Sequence, residues 1–248
     1  MIVYSDYDSF AQIYNKYWGD FGTRSLTVLQ SLILDHIPAG SRLLDLCCGT
    51  GQLARELLSL GYLVTGLDGS KEMLEFAKGN APGAEFMLED ARTFHLAPVY
   101  RAVVSTFDSL NHIMSHEELS QVFINVKSSL VPAGVFLFDL NMEEGYKRRW
   151  RGSFAIVEEN QVCAVRSSYK EHDKIGQMDI TIFTHENGWQ RTDTRLVQRC
   201  YSEKEVKSFL KSAGFEGTQS YDAVDLGMAP PEERGGRICF LARKPSGE

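Results

Sequence analysis

Apolar residues along the chain fall into three textures. Residues 1–34 are rich in aromatics at helical spacing, in YDSFAQIYNKYWGDF and then SLTVLQSLIL. Residues 41–141 alternate short apolar runs with amphipathic stretches. RLLDLC (42–47) reads as a buried strand, CGTG as a glycine turn, and QLARELLSL as a helix with apolar Leu53, Leu57 and Leu60 and Gly61 at its stop. YLVTGL (62–67) is a second strand. Ser70 is placed to cap the helix KEMLEFAKG, whose apolar face is Met73, Leu74 and Ala77. Residues 85–88 and RAVVSTF (101–107) predict a third and a fourth strand. Ser115 and Glu118 stand at capping-box spacing before a helix burying Leu119, Phe123, Val126 and Leu130, and Gly134 leads into a fifth strand, VFLFDL. Strands alternating with helices of this length predict parallel βαβ units with right-handed crossovers.

The third texture begins near Ser153. FAIVEE, QVCAVRSSYKE, QMDITIFTHE and WQRTDTRLVQRC are strand-length runs separated by turn signals, among them Asn187-Gly188, a hairpin signature. Ser202 and Glu205 repeat the capping-box spacing ahead of a helix burying Val206, Phe209, Leu210 and Ala213, which Gly214 ends. Two strands follow, near residues 218–222 and 237–243, and the link GMAPPEERGG reads as a mobile loop. The predicted fold is α/β: a doubly wound, mostly parallel seven-stranded sheet with helices on both faces and an inserted small antiparallel sheet. It is read as one domain over residues 1–248, with 1–40 a helical lid and 150–200 inserted strands over a substrate pocket.

The 248 residues are 43% hydrophobic and 24% charged, enough to bury a core without disulfides or metal. A net charge of −7 with no long basic run argues against nucleic acid as a partner. The densest basic segment, KRRWR (147–151), reads as a solvated linker face. Cys47, Cys48, Cys163, Cys200 and Cys239 have no zinc or redox spacing, so no metal is expected and the usage suits a reducing compartment. Cys47 and Cys48 read as neighbours on a strand end, their side chains on opposite faces. MIVYSDYDSF lacks a signal-peptide pattern, and no apolar run is long enough to span a membrane, which predicts a cytoplasmic chain. A homodimer is left open.

Gly49, Gly51 and Ala54 fit G-x-G-x-x-G/A between a strand and a helix, and Asp68 follows about twenty residues on, placed for ribose hydroxyls. That much fits a dinucleotide site equally well. Three features favour S-adenosylmethionine. Asp45, just before the glycine turn, would repel a pyrophosphate but attract an ammonium and a sulfonium. Glu89-Asp90-Ala91 after the third strand offers a carboxylate and an amide for adenine. The closing helix and two strands can form a reversed hairpin at the sheet edge.

LLDLCCGTGQ, VTGLDGSKEML, FMLEDARTF and VVSTFDSLNHI resemble, in order and spacing, the cofactor-side motifs of class I S-adenosylmethionine-dependent methyltransferases. LVPAGVFLFDLN and CYSEKEVKSFLKSAGF are similar to the fifth strand and late helix of that family. The strand-rich insertion resembles the subgroup of amino-sugar N,N-dimethyltransferases and glycine N-methyltransferases. The resemblance implies a small-molecule substrate, with nitrogen the favoured acceptor and S-adenosylhomocysteine the product. It implies backbone at Gly49 and Gly51 against the methionine portion with Asp45 nearby, Asp68 on the ribose, Asp90 and Ala91 on the adenine, and Thr106 and Phe107 beside the sulfonium. Tyr14 would pack over the cofactor, Arg24 would face its carboxylate, and Cys47, Gly69 and Met73 complete the implied contacts. The Cys47-Cys48 pair departs from the family's usual small or apolar residues.

Methyl transfer needs a lone pair placed behind the methyl group, and a base only when the nucleophile arrives protonated. His112, Asp108 and Tyr14 are the catalytic candidates. His112 has an ordinary pKa of about 6.5, and its structural alternative is a loop histidine bonded to a backbone carbonyl. Asp108 binds a substrate amine or caps the next turn, and Asn111 shares that ambiguity. Asp139 and Asn141 face the ligand edge of the sheet or form a turn. Tyr4 and Tyr7 line a lid or staple the first helix, and Trp18, Trp150 and Trp189 read as packing residues. Two rival classes are an NAD-binding oxidoreductase and a catalytically silent subunit on the same fold.

Overall fold

The computed structural model describes residues 6–185 and 187–247. The central sheet contains β1 (Arg42–Leu46), β2 (Leu63–Asp68), β3 (Glu85–Leu88), β4 (Tyr100–Ser105), β5 (Leu130–Asn141), β10 (Glu216–Asp222) and β11 (Arg237–Arg243). Its seven strands run in the order β10-β11-β5-β4-β1-β2-β3. Pairing is parallel from β3 through to β5, while β11 runs antiparallel to both β5 and β10. The reversed strand is therefore β11 alone.

Period-two alternation sorts the strand residues between two cores. Leu44, Val103, Phe136, Phe138 and Phe240 face one side, under α5 (His116–Ser129) and α7 (Glu203–Ser212). Leu43, Val64, Ala102, Val104, Leu137 and Leu241 face the other, under α2 (Asp20–Leu32) and α3 (Gln52–Ser59). The remaining helices are α1 (Ala11–Tyr17), α4 (Lys71–Asn80) and α6 (Glu143–Arg149).

Between α6 and α7 lies a separate four-stranded antiparallel sheet: β6 (Gly152–Val157), β7 (Gln161–Lys170), β8 (Ile175–His185) and β9 (Trp189–Arg199). Its buried Cys163, Val165, Ile180, Ile182 and Leu196 pack on Phe10 and Ile13, with Tyr7, Tyr14 and Trp18 around them. The helix α1 is thus held between the inserted sheet and the glycine turn.

Four expectations need correction here. KRRWR is not a linker face: residues 147–149 are the last turn of α6, where Arg148 donates to the Glu232 carbonyl at 2.7 Å and Arg149 pairs with Glu233. Trp150 is buried just beyond. GMAPPEERGG is correspondingly an ordered link, since α6 arginines grip it and Met228 packs in the core. β1 stops at Leu46, so strand alternation does not reach Cys47 and Cys48; Cys47 has φ 61°. Trp189 is 55% exposed on β9, its ring centroid 5.1 Å from that of His185, so it is not a core packing residue. Tyr4 lies outside the described residues. Among those described, no helix is long and apolar enough to cross a membrane.

Candidate active site

The turn after β1 is built for close approach. Cys47, Gly49 and Gly51 have φ of 61°, 54° and 80°. Left-handed backbone suits glycine, and at Gly51 an added Cβ would lie 2.9 Å from the Ala77 Cα of α4. A Cβ on Gly49 would stand 3.5 Å from the Tyr14 ring, so Tyr14 lies against the turn. Burial raises the Tyr14 phenol far above its ordinary pKa. At neutral pH it is a hydroxyl donor rather than a base.

Two acids flank the turn. Asp45 is 2% exposed, and its Oδ2 has no hydrogen-bond partner. Burial, reinforced by the charge of Asp68, pushes its pKa up to about 7. Asp68 ends β2 and accepts from the Gly49 and Ser70 amides, both at 2.8 Å. Burial raises its pKa, and those two amides oppose the shift. Asp68 therefore ties the glycine turn to the start of α4, a job the sequence did not reveal. Gly69 lies between, and Met73 is buried on the first turn of α4, its amide donating to Ser70 Oγ at 3.2 Å.

At the end of β3, hydrogen bonds from Arg92 hold the Asp90 carboxylate below its ordinary pKa, with contacts as short as 2.5 Å. Ala91 is buried, and its carbonyl accepts from Asn125 at 3.3 Å. Beyond β4 come Thr106, Phe107 and Asp108. Phe107 and Asp108 take φ of 64° and 50°, a strained pair held by two bonds to one carboxylate. The Phe107 amide donates to Asp139 Oδ1 at 2.7 Å and the Asp108 amide to Oδ2 at 3.1 Å. The Phe107 ring stacks on Phe21 at 4.1 Å. Arg24 is exposed on α2 with its guanidinium 5.3 Å from the Phe21 ring centroid.

Asp108 does not cap the following turn, because its carboxylate turns inward instead. Oδ1 accepts from Arg237 at 2.5 Å, and Oδ2 accepts from Gln198 at 2.6 Å. Arg237 also pairs with Asp139, donates to Asn141 at 3.1 Å and lies 4.9 Å over Phe21. Burial works against its charge, but the two carboxylates prevail and its pKa is raised. Asp139 and Asn141 are not a turn pair: both lie within β5 and serve this network. Asn111 joins it by donating to the carbonyls of Asn141 and Arg199. His112 follows on a short 3-10 turn, with Nε2 2.9 Å from Tyr7 Oη and 3.1 Å from Gln198 Nε2. Burial lowers its pKa, while Asp108 and a bond to the Val197 backbone oppose that.

The geometry therefore gathers Tyr14, the glycine turn, Phe107, Asp108 and His112 at the carboxyl ends of β1 and β4, with Tyr7 joining them. Asp90 and Ala91 follow β3 beside them: the Asp90 charge helps to raise the pKa of the Cys47 thiol, and Ala91 shares a buried cluster with Leu46 and Leu110. Arg237, Gln198 and Phe21 were not singled out from sequence: the N-terminal helices and the inserted sheet were read as a cover for the pocket without naming Phe21 or Gln198, and Arg237 lies on a strand read only as the sheet edge.

Residues 43–134 match a family model described as a methyltransferase domain. The chain carries a methyltransferase domain. Its fold is that of the S-adenosylmethionine-dependent class I methyltransferases. A methyltransferase of that dependence from Clostridium acetobutylicum ATCC 824 superposes with a TM-score of 0.79 at 22% identity, covering 97% of this chain and 100% of that one. Streptomyces venezuelae DesVI gives 0.75 at 21%, covering 98% and 99%. In sequence, YqeM of Bacillus subtilis (strain 168) is 28% identical over 214 residues, 84% of this chain and 86% of that protein. A dTDP-3-amino-3,6-dideoxy-alpha-D-glucopyranose N,N-dimethyltransferase of Streptomyces fradiae is 32% identical over 128 residues, half of each chain. The methyltransferase domain spans the glycine turn, Asp68, Asp90 and the Thr106-to-His112 segment.

Proposed function

We propose that this chain moves a methyl group from S-adenosylmethionine to a nitrogen of a small molecule. The observation that carries the reading is the unpartnered, buried Oδ2 of Asp45. An orphaned carboxylate in a dry site is costly, and a cationic amine offers the missing partner. A pyrophosphate in the same place would add a second anion.

In this reading Asp45 meets the amino acid end of the cofactor, Asp68 the ribose, and Asp90 with Ala91 the adenine. The cofactor supplies an electrophilic methyl group on a sulfonium. Tyr14, Thr106 and Phe107 border that methyl group and exclude water from it. Among the described residues, the helices of 6–40 and the inserted strands of 150–200 roof the substrate in this reading. The amino-sugar N,N-dimethyltransferases among the relatives support nitrogen as the acceptor atom.

Mass spectrometry of the denatured, freshly purified protein is expected to find S-adenosylmethionine or S-adenosylhomocysteine. Calorimetry is expected to show binding of either and none of NAD. Asp68→Ala should weaken S-adenosylmethionine by roughly tenfold or more, the weight of a lost charged hydrogen bond. Binding of NAD in place of S-adenosylmethionine would overturn the reading. Cofactor binding without turnover on any amine would reduce it to a silent subunit.

A further inference from the structure

Each sheet leaves two strands with one side unpaired, β10 and β3 in the central sheet and β6 and β9 in the inserted one. An unpaired edge is a template for another strand, and proteins block it with charges, breaks in register or short length. Three of these edges are blocked in such ways. β3 has four residues and begins with Glu85. β10 carries Glu216 and Asp222 and shifts register between Glu216 and Gln219. β9 carries Arg191, Asp193, Arg195 and Arg199, and its Thr194 hydroxyl donates to the Asp6 carbonyl at 3.0 Å.

β6, with the sequence GSFAIV, has none of these devices. It holds no charge and no proline, and its register with β7 runs unbroken from Gly152 to Val157. All of its residues but Ile156 are exposed, Phe154 at 49% and Val157 at 72%. The Phe154 ring lies 6.3 Å from that of Trp18, and Ile156 packs in the same cluster as Trp18, so these two side chains share the face turned to α1. The charges stand just outside the strand. Arg151 precedes it and Glu159 follows it, both exposed, and among the described residues neither side chain has an ion-pair or hydrogen-bond partner.

The hydrogen-bond pattern limits how a second strand can add. The Glu158 amide donates to the Gln161 carbonyl at 2.8 Å, so the even-numbered residues of β6 turn their backbone groups to β7, while Ser153, Ala155 and Val157 turn theirs outward. Two copies of β6 related by a two-fold axis therefore bond only where odd-numbered residues meet odd-numbered ones. Centred on Ala155, such a pair sets Ser153 against Val157, lays Phe154 against Ile156 of the second copy, and brings Arg151 beside Glu159 at both ends. Moving the centre by one residue parts Arg151 from Glu159 by two positions.

We propose that β6 is a self-association surface: two copies of this chain pair antiparallel through β6, centred on Ala155, and join their inserted sheets into one continuous sheet. The partner is a second copy because the charges flanking the strand complement each other across the axis. The pairing does not depend on the reaction that the chain carries out. One added strand buries less than the roughly 1,200 Å² of stable complexes, so dissociation at about 10–100 µM is expected.

Sedimentation velocity of the full chain from about 1 to 500 µM brackets that range. The wild type is expected to pass from monomer to dimer. Ala155→Lys places two ammonium groups at the axis and should raise the dissociation constant about tenfold or more. Arg151→Glu sets a second carboxylate beside Glu159, and Glu159→Arg sets a second guanidinium beside Arg151, so each should weaken the dimer. Combined in one chain, these two exchanges restore opposite charges and should recover the wild-type constant to within about threefold. A wild type that stays monomeric throughout, leaving the edge to a strand of another protein, overturns the proposal. So does a dimer unmoved by Ala155→Lys, which would use another surface, or a combined variant that fails to recover. If Ala155→Lys does not fold, the charge exchange decides alone.

Discussion

Between the ordinary aspartate pKa of 3.8 and the value of about 7 that burial gives Asp45, the folded chain binds a proton here that the unfolded chain has released. Stability from this group is therefore complete below the unfolded pKa and falls as pH rises from about 4 to about 7. A shift of that size corresponds to a few kcal/mol. Asp45→Asn removes the titration, so its stability relative to wild type should improve steadily across that window. Urea unfolding of both proteins at several pH values, without cofactor, measures the difference. Saturating S-adenosylmethionine should shrink the slope, because a bound ammonium favours the ionised form of Asp45. A variant that parallels wild type at every pH would remove Asp45 from this role.

Two helices begin with the same spacing of serine and glutamate, and only one closes the full box. At α7, Ser202 Oγ accepts from the Glu205 amide at 3.3 Å, and Glu205 Oε2 accepts from the Ser202 amide at 2.8 Å. At α5, Ser115 caps the Glu118 amide, but the Glu118 side chain turns to Arg92 at 3.1 Å. Ser202→Ala should therefore cost about 1 kcal/mol in urea unfolding and leave cofactor affinity unchanged by calorimetry, since α7 lies over the face away from the glycine turn. Altered affinity would mean that α7 is coupled to the site. The contrast shows what the sequence could reveal. The parallel strands, the glycine turn and the inserted sheet were legible because periods of 2 and 3.6 and the turn residues are local signals. The helix α6 was not, because four of the five residues of KRRWR are charged and the buried pair Tyr146 and Trp150 is too sparse a stripe. Arg237 was illegible for a different reason: its partner Asp108 is 129 residues away, and within RICFLAR it looks like any charged strand end.

That arginine connects the parts of the molecule. From the one reversed strand it reaches Asp108 and Asp139, while Asp139 holds the Phe107 and Asp108 amides and Asp108 holds Gln198 of the inserted sheet. The edge hairpin, the strained loop after β4 and the inserted sheet are thus linked through one buried guanidinium between two carboxylates. Removing it leaves both acids without a cation, so Arg237→Met should cost about 3–5 kcal/mol, as breaking a buried pair does. Asp108→Asn alone leaves Arg237 paired with Asp139 and should cost less. In the double variant the remaining carboxylate, Asp139, still accepts two backbone amides, so the combined loss should fall short of the sum of the single losses. Urea unfolding of the four proteins gives the coupling, and additivity within roughly 0.5 kcal/mol would show that the network does not act as a unit. Cofactor binding adds a second measure of the same connection. Phe107 keeps its left-handed backbone only while Asp139 holds its amide, and Asp139 is oriented by Arg237. Arg237→Met should therefore weaken S-adenosylmethionine at a temperature where the variant is still folded, although residue 237 lies outside the matched domain.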